Sequence, residues 1–287
     1  MTFYTHNPIA IRSKEPVTQK ELKKLFPTIF QTEAHNSRSE RYQHLPTSEV
    51  LSALEDKGFK VFAASVSRIR KDMSRIGFQG HMLRLRKPGN ELPKLGGIFP
   101  EVVLRNSHDG STRYEMKAGL FRLICLNGMV VGDKMIGSIR LTHTTRSLEV
   151  YQASAERITQ QMGEVVELLP RFQETKLTQK VQLEIAREVM DFRFHRMAFP
   201  LERLLEARRK ADEGNDAWSV MNRIQENIMK GGLEYQLTEE GRKRKSAVTR
   251  EVSKITDELN YNQWLWDLVS SKVKGLPKPK LIEATAN

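Results

Sequence analysis

Apolar residues alternate with polar ones or cluster in short runs between residues 60 and 143, and after Leu148 they recur at steps of three and four. The first pattern predicts strands and the second amphipathic helices. Strands are expected at 60–67, 78–87, 101–106, 112–118 and 134–143, in runs bounded by Gly, Pro and Asn. In HMLRLRK, Leu83 and Leu85 fall on one side while Arg84 and Arg86 fall on the other. Val102 and Leu104 oppose Val103 and Arg105; Tyr114 and Met116 oppose Arg113, Glu115 and Lys117; Ile139 and Leu141 oppose Arg140. Paired in the obvious registers, these strands make a sheet with one apolar face.

Helices flank and follow the sheet. Residues 18–25 form a short helix capped by Thr18 and stopped before Pro27, and Thr47-Ser48 precede a helix closed by Gly58. Residues 119–128 read as a further short helix, with Leu120, Phe121, Ile124 and Cys125 on one face and Asn127-Gly128 as its end. Leu148, Tyr151, Ala155, Ile158, Met162, Val165 and Leu169 make one long stripe on a helix ended by Pro170. Further helices are expected at 178–196, 201–212, 216–230 and 246–274, the last striped through Val252, Ile255, Leu259, Trp266, Val269 and Val273. The fold class is α+β: a basic, mainly antiparallel sheet with helices on one face, followed by a helical C-terminal region. The expected divisions are an irregular segment 1–45, the sheet and long helix 46–175, a helical region 176–274 and a mobile tail 275–287.

Charge sharpens this picture. Residues 1–150 hold 24 Lys and Arg against 14 Asp and Glu, whereas 151–287 hold 23 against 21, so the net charge of +12 lies mostly in the sheet half. The polar face would present Arg84, Arg86, Arg105, Arg113, Lys117 and Arg140. Such a face suits a polyanion, because the guanidinium fork donates two hydrogen bonds to one phosphate; the plainer alternative is an ordinary solvated sheet face. The lone Cys125 makes no intrachain disulfide and no cysteine zinc site, and its apolar neighbours mark it as a buried structural thiol. Without a signal-type N-terminus or a run of about 18 apolar residues, a cytoplasmic protein with no membrane partner is expected.

Among candidate motifs, Asn106-Ser107-His108-Asp109-Gly110 separates two strands and has the residues of a tight turn. His108 and Asp109 could act in acid–base or metal chemistry with His143, Asp133 and Glu115, but no ligand spacing supports this, and a turn or phosphate-contacting loop is the stronger reading. Arg122 is either a salt-bridge partner or a phosphate contact. HNSRSERYQ places Arg38, Arg41 and Tyr42 in one loop suited to a phosphate and a base. The run Arg242-Lys243-Arg244-Lys245 is a basic loop, and Asn222, Gln225, Glu226 and Met229 share a helix neighbourhood that ties it to a loop or to another subunit.

HMLRLRKPG, LRNSHDGSTRYEMKAGLFRLICLNG and, downstream, WSVMNRIQENIMKGG with LNYNQWLW resemble the phage- and plasmid-borne proteins grouped as DUF932, over residues from about Ser37 to Val269. The resemblance implies a mobile-element context without an assigned reaction. A basic sheet followed by a long amphipathic helix is similar in outline to Rad-type single-strand annealing proteins. The expected function is therefore binding or annealing of single-stranded DNA in recombination or replication, by a homo-oligomer joined through its helical stripes. No cofactor is implied. The rivals are a metal-dependent nuclease or another nucleic-acid enzyme using His108 and Asp109, and an interaction protein that blocks a host defence factor.

Overall fold

The computed structural model describes residues 10–89, 98–122, 127–130, 139–141, 148–237 and 246–276. Cys125, Asp133, His143 and the 242–245 basic run lie outside them. The chain is α+β and divides into two compact units, with the boundary inside a long helix after Val165.

The first unit is built on a seven-stranded sheet. Strands β1 (Ala10–Arg12), β2 (Lys60–Val66), β3 (His81–Arg86), β4 (Ile98–Asn106) and β5 (Tyr114–Arg122) lie side by side, all antiparallel. The outer edge of β5 is shared by β6 (Asn127–Val130), opposite Gly119–Arg122, and β7 (Ile139–Leu141), opposite Tyr114–Met116. Register places Val61, Leu83, Leu85, Val102, Leu104, Met116 and Ala118 on one face. These side chains are all buried. Helix α1 (Gln19–Leu25) carries the expected Thr18–Glu21 capping box, and a 3-10 turn (Pro27–Phe30) follows it. Thr28 of that turn and Thr47 of α2 (Thr47–Asp56) both reach His81, which puts these segments on the apolar face. Thr47 is thus the first residue of its helix rather than a cap: its hydroxyl is engaged with the sheet.

Within the helix expected at 119–128 the described residues are strand. Gly119–Arg122 continues β5, and Asn127–Val130 returns against it. Consecutive apolar residues fit a strand here because both of its faces are covered: Leu120 and Phe121 are both buried, on opposite faces. The long helix α3 (Leu148–Glu174) also departs from expectation by running through Pro170. Proline removes one backbone donor, yet the next turn is retained because Phe172 is fully buried against Trp266, ring centroids 4.9 Å apart.

The second unit is mainly helical: α4 (Gln179–Arg193), capped by Thr178; α5 (Glu202–Leu205); α6 (Ala217–Lys230), capped by Asp216; and α7 (Ile255–Ser270). The helix expected at 201–212 breaks after Leu205. Asn227 donates its amide to the carbonyls of Leu204 and Glu206 at 3.0 Å each, which takes acceptors a longer helix would use. The helix expected at 246–274 begins only at Ile255, because Ser246–Val248 (β10) pairs with Glu234–Leu237 (β9), which also pairs with Met197–Ala198 (β8). The polar residues of α6 fasten this unit. Glu226 pairs with Arg209 and, at 2.8 Å, with Lys230, while Gln225 donates to Asn262 of α7 at 2.9 Å.

Ile158, Met162, Val165 and Leu169 of the first stripe, and Ile255, Leu259, Trp266, Val269 and Val273 of the second, are buried within the chain. These positions need no second subunit to cover them, whereas Val252 is half-buried and the side chains of Leu148, Tyr151 and Ala155 lie outside the described ones. Among the described residues no helix is long and apolar enough to cross a membrane.

Candidate nucleic-acid interface

The polar face of the sheet carries the residues the alternation predicts, but it is not an open arginine surface. Arg84 is 4 % exposed and forms an ion pair with Glu101, its diagonal neighbour across β3 and β4. Arg86 is 3 % exposed, its guanidinium held 3.9 Å from the Phe62 ring and 3.8 Å from the Phe121 ring, and it donates to the Ser13 carbonyl at 3.3 Å. Burial lowers its pKa to about 10, with Glu101 acting in the opposite sense. Lys117 is buried 3.0 Å from Glu115. Arg105 is half-buried and lowered in pKa by desolvation. Two acidic residues and the phenylalanines on or beside this face thus convert most of its cations into internal ones. Arg122 is also buried, but on the apolar side, opposite Ile98 and Asn127. Arg140 occupies the register position opposite Glu115.

Part of the positive charge that does reach solvent lies at one end of the sheet, while Arg12 and Lys14 on or near β1, Lys20, Lys23 and Lys24 of α1 and Lys60 at the start of β2 are exposed elsewhere in the unit. At that end the β2–β3 and β4–β5 connections meet the segment before α2. The 106–110 turn is the anchor. His108 and Asp109 donate their backbone N–H groups to the Phe78 carbonyl at 2.8 and 3.0 Å, and the His108 carbonyl accepts from His35 N–H at 2.9 Å. Tyr42 donates its hydroxyl to the Ser107 carbonyl at 3.0 Å. Asp109 accepts from the Ser111 amide at 2.9 Å and lies 3.7 Å from Arg75. Gly110 has φ +71°, and a Cβ there would meet the Arg38 guanidinium at 2.5 Å, so the arginine packs directly on the turn.

His108 is a structural member of this site. Its ring is 0 % exposed, with centroids 4.6 Å from His44 and 5.2 Å from His81. His81 is held neutral: burial lowers its pKa to about 4, against the opposing effects of the Gln79 carbonyl and Asp109. Its Nδ1–H donates to that carbonyl at 3.1 Å, so Nε2 accepts the Thr47 hydroxyl at 2.8 Å. Thr47 in turn accepts from the Asn106 amide at 3.0 Å. The polar turn motif is therefore wired into the core. Among the described residues no group of three or more His, Cys, Asp or Glu could hold a metal ion.

Around the anchor stand Arg38 and Arg41 from the first segment, Arg68, Arg70, Lys71 and Arg75 from the β2–β3 connection, and Arg113 just before β5. Arg41, Arg68, Arg70, Lys71 and Arg113 are exposed and have no carboxylate partner among the described residues. Of the expected contact residues, the structure thus brings together Arg38, Arg41, Tyr42 and Arg113 around the turn, and withdraws Arg84, Arg86, His108, Lys117 and Arg122 from solvent. The sequence reading missed Arg68, Arg70, Lys71 and Arg75. Their signal was SRIRKDMSR, a basic cluster between two strands with one acidic residue.

The chain is 36 % identical over 258 residues to the UPF0380 protein YafZ of Escherichia coli K12, covering 89 % of this chain and 91 % of the relative. It is equally similar, over the same shares, to the UPF0380 protein YfjQ of the same strain. No solved structure matches the chain, and the Rad-type analogy gains no support. The family model described as Domain of unknown function (DUF932) matches residues 34–266, which span both the anchored turn and the α6 fasteners, and the chain belongs to this family.

Proposed function

We propose that the protein binds single-stranded nucleic acid through the basic loop end of its sheet. The observation that carries this reading is the gathering of Arg41, Arg68, Arg70, Lys71 and Arg113, exposed and, among the described residues, without carboxylate partners, around a turn fixed to the core. Cations on loops anchored to a sheet can follow the irregular phosphate path of a flexible strand, and each neutralised phosphate releases counterions. The internal ion pairs of the sheet face hold the scaffold and leave the loops to meet the ligand.

The test is fluorescence anisotropy with labelled oligonucleotides over a salt series. Affinity is expected to fall steeply with salt, and a variant with Arg41, Arg68, Arg70 and Lys71 changed to Gln is expected to bind more weakly with a flatter salt slope. Unchanged affinity in that folded variant would remove the loop end from the argument.

A further inference from the structure

The same loop carries two of the large apolar side chains left exposed by the fold. Met73 is 57 % and Ile76 42 % exposed, each within a few residues of Arg68, Arg70, Lys71 and Arg75. They are held in place by a rigid turn. Met73–Arg75 forms a 3-10 turn whose N-cap, Asp72, accepts from the Ser74 amide at 3.2 Å and from Arg75 Nε at 3.0 Å. Ile76 N–H donates to the Met73 carbonyl at 3.1 Å, and Phe78 N–H to the Arg75 carbonyl at 2.9 Å. The His35 ring ties the turn down from below, 3.2 Å from the Ser74 hydroxyl and edge-on to Phe78. Ile76 is the C-cap of the turn, three residues after Met73, and its φ of −60° keeps the turn's direction, so its Cβ leaves the backbone on the side of Met73 and the two form one aliphatic tip.

We propose that this tip is a wedge that enters a base step at the junction between duplex and single strand. The proposal rests on the nucleic-acid reading above and names the ligand more closely. An aliphatic tip ringed by cations has the chemistry of side chains that insert between bases while phosphates are held alongside. Stacking on an open strand is served by aromatic rings, whereas Met and Ile gain by filling the gap of a parted step. Parting a step costs least where one neighbour is already unpaired. A junction therefore offers the tip its cheapest entry, with single-strand phosphates beside it for the arginines. The restraints of Asp72 and His35 matter because a preordered tip loses little freedom on insertion.

The experiment uses the full chain with three oligonucleotides: a single strand, a blunt duplex and a partial duplex carrying 2-aminopurine at the junction. The partial duplex is expected to bind about tenfold more tightly than either other form, with a rise in 2-aminopurine fluorescence as its base unstacks. In M73S/I76S both the preference and the rise disappear, while single-strand affinity and salt slope stay within about twofold, because the phosphate contacts remain. A flat 2-aminopurine signal at saturation, or an equal loss of affinity for all three ligands in the variant, would overturn the wedge while leaving the basic interface standing. Failure of the unaltered protein to bind any of the three at low salt would overturn both.

Discussion

The Nε2 atom of His81 accepts the Thr47 hydroxyl at 2.8 Å in the interior of the first unit, joining the first residue of α2 to the first residue of β3. Because Nδ1–H is committed to the Gln79 carbonyl, a second proton on the ring would break the Thr47 bond and place a charge in the core.

This arrangement sets a pH dependence. The folded-state pKa of His81 is lowered from 6.5 to about 4. Between those values the unfolded chain binds the extra proton and the folded chain does not, so stability is full above pH 6.5 and declines as pH falls toward 4. About 2 kcal/mol is expected to be lost to this group between pH 7 and pH 5. His81→Gln should be less stable at pH 7 yet lose about 2 kcal/mol less over the same interval, as read from urea midpoints at the two pH values. Parallel losses in the two proteins would show that His81 is not the group responsible.

The Arg84–Glu101 pair makes a second prediction. Both side chains are buried, at 5 % and 1 % exposure, so deleting either leaves the other charge away from water with less compensation, Glu101 keeping the field of Arg86 opposite it. Arg84→Met is expected to cost about 3–5 kcal/mol, and the double variant with Glu101→Leu to recover a substantial part of it. Denaturant unfolding of the two variants distinguishes them. A double variant less stable than Arg84→Met would mean the pair is held by neighbours rather than by each other.

A third prediction separates the two sets of arginines. Arg68→Gln and Arg70→Gln together are expected to leave the unfolding midpoint within about 0.5 kcal/mol of the parent, as for exposed unpaired positions, while reducing the salt slope of oligonucleotide binding by roughly 0.7 for each phosphate no longer neutralised. Arg86→Gln should do the reverse. It removes the guanidinium between Phe62 and Phe121 and so lowers stability, with oligonucleotide affinity unchanged in the folded fraction. Thermal melts and anisotropy on the same preparations decide the matter.

Alternation in HMLRLRK gave the true partition of Leu83 and Leu85 from Arg84 and Arg86, because sheet geometry enforces a period of two whatever the surroundings. It could not tell that Arg84 and Arg86 are internal. That depends on Glu101 and Phe121, which are distant in sequence and become neighbours only through the β3–β4 and β4–β5 registers. The helix cap at Thr18 was readable because capping is local, and the helices expected to begin at Thr178 and Asp216 use those residues as their caps. The break after Leu205 was hidden because Asn227 makes it from more than twenty residues away. In the candidate site, HNSRSERYQ and NSHDG were each visible as polar loops, whereas their union through His35 and His108 is a tertiary fact.

Gly231 supplies the last prediction. It closes α6 with φ +61° and ψ −144°, a conformation that side chains with a Cβ rarely adopt. A Cβ at this position would also fall 2.5 Å from the Thr249 carbonyl oxygen and 2.7 Å from the Arg250 carbonyl carbon, both backbone atoms that cannot swing aside. Those atoms belong to a short pairing that seals the unit: Gly232 N–H donates to the Thr249 carbonyl and Thr249 N–H to the Leu233 carbonyl, each at 2.9 Å. The Gly231 carbonyl is itself taken by the Arg208 guanidinium, so the residue cannot rotate to relieve the overlap without breaking that bond. Backbone strain and steric overlap therefore act together in Gly231→Ala, and a loss of about 3 kcal/mol or more is expected. Gly58→Ala is the control. It also has positive φ, at +84°, but nothing lies within 4 Å of its Cβ position, so only the backbone cost of about 1 kcal/mol remains. Equal losses in the two variants, measured by urea unfolding under one buffer, would mean that the approach of Thr249 to Gly231 carries no weight in the stability of the helical unit.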